Sequence, residues 1–237
     1  SEKDSAYEHD ADCDVVSWVK LMRQFVGLSL KVSKVVAVNV QMLSGNKIEL
    51  CGLFGEWKES IVDVAVWVKT NPQPAMAEGV MTSGFEFIVI LSPNDKPNRR
   101  IESASFNRGT FENVITSGTA SGHDASVHGA VFPVKVASHC VSGWSHKNGS
   151  VYDPFLGSGT TLIAAEQLGR RCYGMEISPQ YCDVIVKRWE TLTGKKAVLE
   201  NSHGQERSKA NADSDIEVTR VDNRTKAKRQ RVKSGTA

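Results

Sequence analysis

One stretch of this 237-residue chain decides its fold: Val151-Tyr152-Asp153-Pro154-Phe155-Leu156-Gly157-Ser158-Gly159-Thr160-Thr161. The stretch has the pattern of a strand end, a glycine-rich turn and the start of a helix. A turn of this kind brings backbone N–H groups close to a bound nucleotide-like ligand. Asp153 is expected at the carboxyl end of the strand, which is where open α/β sheets place their ligands. The sequence therefore predicts an α/β fold with a ligand at this loop.

Three glycine-loop chemistries compete for the stretch. A Walker phosphate loop requires a lysine after its last glycine, and no lysine follows Gly159. A dinucleotide fingerprint requires a third glycine, and Leu162 occupies that position. The third chemistry is S-adenosylmethionine binding, in which an acidic residue at the end of the second strand binds the ribose hydroxyls. Glu176 follows the loop by roughly 20 residues, the length of one strand–helix–strand step. This pattern favours S-adenosylmethionine over an ordinary α/β turn with a solvent-facing glutamate.

Short motifs continue the pattern beyond the loop, namely Ala164-Ala165, Gly169-Arg170, the segment Gly174–Tyr181 and Arg188. Together with the loop they resemble the N-4 cytosine/N-6 adenine DNA methyltransferases. The resemblance implies an α/β, Rossmann-like S-adenosylmethionine-dependent methyltransferase fold. Its central sheet would be mostly parallel, and its order circularly permuted, with the target-base half before the cofactor half. The implied reaction is methyl transfer to N6 of adenine or N4 of cytosine in DNA. RNA methylation and a non-catalytic nucleic-acid-binding subunit remain as alternatives.

The resemblance also implies which residues form the sites. The cofactor residues would be Asp153, Pro154, Phe155, Gly157, Ser158, Gly159, Thr160 and Glu176, with His128 and Phe132 from an upstream His-x-Ala-x-Phe-Pro segment. Weaker candidates for nucleic-acid contacts are Lys69, Asn71, Arg99, Arg100, Arg229 and Arg231. Lys69 and Asn71 lie in the Trp67–Pro74 stretch, which resembles a family segment that borders the target base.

The catalytic signature of the resembled family is absent from this sequence. That signature is Asp/Asn/Ser-Pro-Pro followed by an aromatic residue, and the nearest strings are Asn71-Pro72-Gln73-Pro74 and Ser92-Pro93-Asn94-Asp95. In this motif order the tetrapeptide would precede Ser1, on a strand beside the one that ends at Asp153. The catalytic residues are therefore unknown.

Two interpretations follow: a fragment of a longer enzyme, or a relative that binds without catalysis. An empty central position would expose backbone groups, so we expect low stability unless a partner, or a second copy in a homodimer, fills it. Direct pairing of Val35–Val40 with Ser150–Asp153 would contradict this expectation.

Composition and charge bound the remaining possibilities. The net charge is only +2, and the chain lacks a run of about 18 apolar residues, so neither a strongly basic protein nor a membrane-spanning one is expected. The cysteines are scattered without Cys-x-x-Cys spacing, which predicts reduced thiols and no metal site. We expect an intracellular protein, in the cytoplasm of a bacterium or phage host or in a eukaryotic nucleus. A methyltransferase domain is predicted over 1–200, with halves 1–91 and 128–200 around a loop at 92–127, and a disordered basic tail over 201–237.

Hydrophobic periodicity predicts the main elements. Helices are expected over about 14–30, 57–66 and 130–141, and from Ser178-Pro179 to Gly194. Strands are expected at Val35–Val40, as a buried parallel strand, at Phe85–Leu91 and at Ser150–Asp153. The last helix is expected to bury Tyr181, Val184, Ile185, Trp189 and Leu192.

Overall fold

The computed structural model describes residues 14–93, 99–102, 104–119 and 132–200. The elements in chain order are α1 Val15–Val32, β1 Val36–Val40, α2 Lys47–Trp57, β2 Ile61–Lys69, β3 Phe85–Leu91, β4 Val114–Ser117, α3 Val134–Trp144, β5 Ser150–Asp153, α4 Thr160–Gln167, β6 Arg171–Gly174 and α5 Pro179–Thr193. The chain divides into two compact units between His146 and Lys147. This boundary lies beyond residue 128, where the cofactor half was expected to begin, because α3 packs Val136 and Trp144 into the core of the first unit.

The first unit contains a four-stranded sheet in the order β1-β3-β2-β4. β3 is antiparallel to both β1 and β2, whereas β2 and β4 are parallel. Three strands therefore run in one direction and β3 runs against them. The expectation of a parallel strand at Val35–Val40 is wrong in its pairing, since β1 pairs with β3 in antiparallel register, Val38 opposite Val89. The burial of β1 alternates, which is typical of a strand with one covered face.

Both faces of β3 are buried over residues 88–91, which explains the apolar run in this part of the strand. Val89 and Leu91 pack with α1 and α2 in one core cluster. Ile88 and Ile90 pack on the other face with β2, β4 and α3. Successive side chains of a strand point to opposite faces, so the part of a strand that is covered on both sides is apolar at every position. Glu86 lies before this part of β3 and is paired with Lys69. β3 is thus the strand around which the first unit is organised.

The helix expected at 57–66 is wrong. α2 ends at Trp57, where the Ser60 N–H donates to the Trp57 carbonyl at 2.8 Å, and β2 begins at Ile61. The sequence of β2 is rich in valine, and its neighbours β3 and β4 supply the backbone partners that favour a strand over a helix. β4 lies inside the segment expected to be a loop at 92–127, and it forms because β2 offers it a parallel edge.

The second unit is a β-α-β-α segment, with β5 and β6 paired in parallel. α4 connects the two strands and α5 follows them. As predicted, α5 begins after Ser178 with Pro179 at its first position and ends at Gly194, whose φ is +70°. Its buried residues are Cys182, Ile185 and Trp189, at intervals of three and four residues along one face. Tyr181 and Val184 are half-buried, and Leu192, in the last turn of the helix, is exposed, contrary to expectation. No helix in the described residues is long and apolar enough to cross a membrane.

The thiols of the described cysteines are all free, as the sequence predicts. Burial raises the pKa of Cys140 and of Cys172 to about 12, so both remain protonated at neutral pH. Cys51 is exposed. Across the described ranges, no cluster of three or more potential ligands has the geometry of a metal site.

A stack of aromatic rings joins the segment before β4 to α3. Phe106 stacks on Phe111 with centroids 4.7 Å apart, and Phe111 stacks on His139 at 4.0 Å. The Phe111 ring also lies over Gly143, where an added Cβ would be 2.2 Å from its Cζ. Burial lowers the pKa of His139, so the ring in the stack is neutral at pH 7. Phe111 is therefore held on three sides.

Replacing Gly143 tests this packing. Gly143→Ala should destabilise the protein by about 1–3 kcal/mol, because the Phe111 ring would have to shift out of its stack on His139 to make room for the added methyl group. The matched control is Gly55→Ala in α2, where an added Cβ meets no atom within 4 Å. It should stabilise by about 0.5–1 kcal/mol through helix propensity alone. Both free energies are measured by urea unfolding, and equal values for the two variants would contradict the clamp.

Candidate cofactor-binding site

The glycine loop lies between the end of β5 at Asp153 and the start of α4 at Thr160. Gly157 and Gly159 have φ values of +54° and +84°, in the left-handed region that favours glycine. At Gly159 an added Cβ would also approach Ile185 Cγ1 to 3.0 Å. Backbone conformation at both positions, and packing at the second, therefore require glycine. The predicted strand–turn–helix is confirmed.

Glu176 fixes the shape of the loop. Its Oε2 accepts a hydrogen bond from the Gly157 N–H at 2.7 Å, and its Oε1 accepts one from the Ser178 N–H at 2.8 Å. One carboxylate thus joins the glycine loop to the start of α5. Each carboxylate oxygen has about two acceptor positions, so Glu176 still has acceptor capacity for hydroxyl donors. The sequence predicted an acidic residue here but not its bonds to the loop.

Backbone bonds extend the β5–β6 pairing into the loop. The Met175 N–H donates to the Asp153 carbonyl, and the Leu156 N–H donates to the Met175 carbonyl, both at 3.0 Å. Asp153 Oδ1 accepts from the Phe155 N–H at 3.0 Å. The Asp153 side chain therefore stabilises the first turn of the loop, at the carboxyl end of the strand where it was expected.

Arg188 supports the loop from α5. Its Nη1 donates to the Ser158 carbonyl at 2.7 Å and contacts Ser158 Oγ at 3.0 Å. A charged donor on a carbonyl makes a stronger hydrogen bond than a neutral one. The sequence marked Arg188 as part of the motif pattern without a role, and the structure gives it one: it holds the backbone between the two glycines.

Two large apolar side chains stand exposed beside the loop. Phe155 is 53% exposed and Ile177, next to Glu176, is 75% exposed. Exposed apolar groups beside convergent polar groups are typical of a ligand site. Ile177 was missed by the sequence analysis, although its position directly after the acidic residue was a usable signal. Thr160, a predicted cofactor residue, is instead buried, and its hydroxyl has no hydrogen-bond partner among the described residues.

The other predicted site residues have different surroundings. His128, Arg229 and Arg231 lie outside the described residues. Phe132 belongs to the first unit, where its ring packs edge-on against Trp67 at 5.6 Å. The role of these residues in binding stays a prediction.

The candidate nucleic-acid contacts of the first unit are mostly engaged within the protein. Lys69 Nζ lies 2.7 Å from Glu86 Oε1, and both side chains are largely buried. Asn71 exchanges two hydrogen bonds with Thr119, at 3.0 and 2.8 Å. Arg99 Nη2 lies 2.7 Å from Asp63 Oδ2. These contacts favour structural roles, while Arg100 is exposed. Their contacts with nucleic acid stay predictions.

The fold is that of the S-adenosylmethionine-dependent methyltransferases. Solved structures similar to this chain include M1.HpyAVI in complex with SAM, with a TM-score of 0.56 and 20% identity over 73% of this chain and 82% of that one. The cytosine-N4-specific PvuII DNA methyltransferase has a TM-score of 0.59 and 17% identity, with 76% of each chain covered. At these identities the likeness shows the fold alone.

A family model described as DNA methylase, the N6/N4 methyltransferases, matches residues 2–187. The chain belongs to this family. Among curated relatives, the type II methyltransferase M.SmaI of Serratia marcescens is 32% identical over 133 residues, covering 52% of this chain and 44% of the relative. The orphan methyltransferase M.BamHII of Bacillus amyloliquefaciens is 44% identical over 61 residues, covering 26% of this chain and 23% of the relative. The chain thus spans less than half the length of these relatives.

Glu176→Gln tests whether the carboxylate holds the loop before any ligand binds. Glutamine offers one oxygen instead of two, so it leaves one of the two backbone N–H groups without its acceptor. The free energy of unfolding should fall by about 1–3 kcal/mol in ligand-free protein. Glu59→Gln, at an exposed glutamate, is the control and should change stability by less than about 0.5 kcal/mol. Thermal unfolding of both variants measures this, and an unchanged Glu176→Gln protein would show that the bridge contributes nothing.

Proposed function

We propose that this chain forms the cofactor-binding core of an S-adenosylmethionine-dependent DNA methyltransferase that acts on N6 of adenine or N4 of cytosine. The observation that carries the proposal is the loop from Asp153 to Thr160 held by Glu176. Membership of the DNA methylase family supports the substrate class. With DNA as the substrate, the methylation reaction would take place inside the cell. An RNA base methyltransferase and a non-catalytic DNA-binding subunit are the competing functions.

The residues of the loop fit S-adenosylmethionine. Glu176 retains acceptor capacity for the two ribose hydroxyls, and Ile177 and Phe155 offer exposed apolar surface beside it. At Gly157 an added Cβ would meet no side chain, only the Phe155 carbonyl oxygen at 3.9 Å, which leaves the backbone accessible to a ligand in this proposal. In this proposal Asp153, Ser158 and Gly159 shape the part of the loop nearest the methionine end.

The bound cofactor supplies an electrophilic methyl group on a sulfonium. The protein has to hold the acceptor amino group in line with that methyl, and positioning of this kind accounts for much of such a rate enhancement. The Asp/Asn/Ser-Pro-Pro-aromatic string that would hold the amino group in this family does not occur in the sequence. The proposal therefore assigns cofactor binding to the residues of the loop and leaves the catalytic group unassigned.

Two strand edges support the proposal that a further strand completes the structure. Among the described strands, β1 pairs only with β3, and β5 pairs only with β6. The sequence of β1, Val-Ala-Val-Asn-Val, has no charge or proline, the usual protection of an edge strand. We propose that a strand from another segment or a partner pairs with one or both edges. Hydrogen exchange in β1 and β5 in which the amides facing away from β3 and β6 are as fast as those of an exposed loop would contradict this.

Calorimetry with S-adenosylmethionine tests the cofactor step. The parent protein should bind, and Asp153→Ala should weaken binding at least tenfold, which is about 1.4 kcal/mol, because the loop loses the bond that holds its first turn. Glu59→Ala removes an exposed acid far from the loop in sequence and should bind like the parent. The cofactor assignment would be contradicted if the parent did not bind S-adenosylmethionine, or if the parent and Asp153→Ala bound it with equal affinity.

Mass spectrometry of nucleosides distinguishes the competing functions. After incubation with S-adenosylmethionine, DNA and RNA are digested and analysed separately. N6-methyladenine or N4-methylcytosine in DNA alone is the expected product, because the family consists of DNA methylases. A methylated base found only in RNA would favour the RNA enzyme. Cofactor binding without any product would favour the non-catalytic subunit.

A further inference from the structure

A tight turn before β4 presents an arginine at its tip. The turn is Asn107-Arg108-Gly109-Thr110, closed by the Thr110 N–H and Oγ1, which bond to the Asn107 carbonyl at 3.2 and 2.9 Å. Gly109 has φ +74°, a conformation that glycine adopts without strain. All four residues are exposed. The local sequence thus fixes the backbone that carries Arg108.

The residues on either side of the turn anchor it to α3. Phe106 and Phe111 flank the turn directly, and their rings lie nearly parallel, with an interplanar angle of 9°. Phe111 stacks in turn on His139 of α3. His139 Nε2 lies 3.0 Å from the Glu112 carbonyl. A four-residue turn closed by stacked rings and stacked again on a helix has little freedom to move.

A second set of hydrogen bonds ties the N-terminal side of the turn to the same helix. The Ser105 N–H donates to the Gly143 carbonyl at 2.8 Å, and Ser105 Oγ donates to the Ser145 carbonyl at 2.8 Å. The segments that enter and leave the turn therefore both contact α3 or the residue after it, the first through hydrogen bonds and the second through the Phe111–His139 stack. Each of these contacts costs conformational entropy, because it orders the backbone of an exposed loop. A loop that only connects two elements does not need such ordering.

The guanidinium of Arg108 takes no part in this anchoring. It makes no ion pair or hydrogen bond with the described residues, Glu112 included. Other arginines of the first unit are engaged: Arg23 with Glu56 and Arg99 with Asp63. The anchor therefore fixes the backbone that carries a cation with no partner among the described residues.

We propose that Arg108 is a DNA-phosphate contact, on a turn that the Phe106–Phe111–His139 stack holds in place. This proposal rests on the DNA methyltransferase function proposed above. The planar guanidinium matches two phosphate oxygens, and a side chain on an anchored turn loses less entropy on binding than one on a mobile loop. A contact to phosphate orients the protein on the duplex without reading its sequence. Arg108 is thus a positioning residue for the substrate.

Fluorescence anisotropy with labelled duplexes of unrelated sequence, over a series of salt concentrations, tests the contact. Arg108→Ala should weaken binding several-fold for every duplex, and the slope of log affinity against log salt should fall by about 1, as expected for one lost phosphate contact. Arg23→Ala removes the same charge from an arginine already paired with Glu56 and should retain the parent's slope. Equal behaviour of these two variants would overturn the proposal.

Phe106→Ala separates position from charge, because it removes the pair of rings that closes the turn and keeps Arg108. Its affinity should fall in the same direction as that of Arg108→Ala, with circular dichroism and S-adenosylmethionine binding like the parent. Parent-like affinity in Phe106→Ala would show that Arg108 contributes only diffuse charge, and overturn the proposal. A loss confined to some duplexes with an unchanged salt slope would indicate a base contact instead and would equally overturn it. Failure of the parent to bind any duplex would count against the proposed function itself.

Discussion

The Glu176 carboxylate is the constraint on which the second unit depends. It accepts one backbone N–H from the glycine loop and one from the start of α5, so it joins two segments that are distant in sequence. Both bonds exist without a ligand. A site whose acidic group and loop are already fixed loses little conformational entropy when a ligand enters. Arg188 adds a second tie, from α5 to the Ser158 carbonyl. Loop shape is thus set by side chains that come from beyond the loop.

The sequence predicted the motifs and elements that depend on local residue patterns, and it missed those that depend on pairing between distant segments. Asp153, the two glycines and Glu176 were found because one strand–helix–strand step imposes a fixed spacing. β3 was found because its buried part, residues 88–91, is an unbroken apolar run. The helix expected at 57–66 failed because short apolar runs fit either period, and the pairing of β2 with β3 and β4 decided the outcome. β4 was not predicted, because its four residues are too few to show a hydrophobic alternation.

The basic residues show the same limit, because their sequence positions do not reveal whether an acid neutralises them in the fold. Lys69 and Arg99 were marked as candidate contacts because they are basic, yet each is paired with an acid in the fold. Arg108 was indistinguishable from them in the sequence. Its distinction comes from the rings of Phe106 and Phe111 on either side of its turn and from α3 behind them. A sequence lists the cations of a surface, and only the fold shows which are already neutralised.

The ion pair between Lys69 and Glu86 constrains which residues can replace either of them in related sequences. Its two members lie on neighbouring strands, with the ammonium also 5.4 Å from the centre of the Trp67 ring. Losing either partner leaves an uncompensated charge in largely buried surroundings, at a cost of about 3–5 kcal/mol. Replacing both by apolar residues of similar volume costs far less. Natural variation should therefore exchange positions 69 and 86 together, so that the two covary although they are separated in sequence by the whole β2–β3 connection.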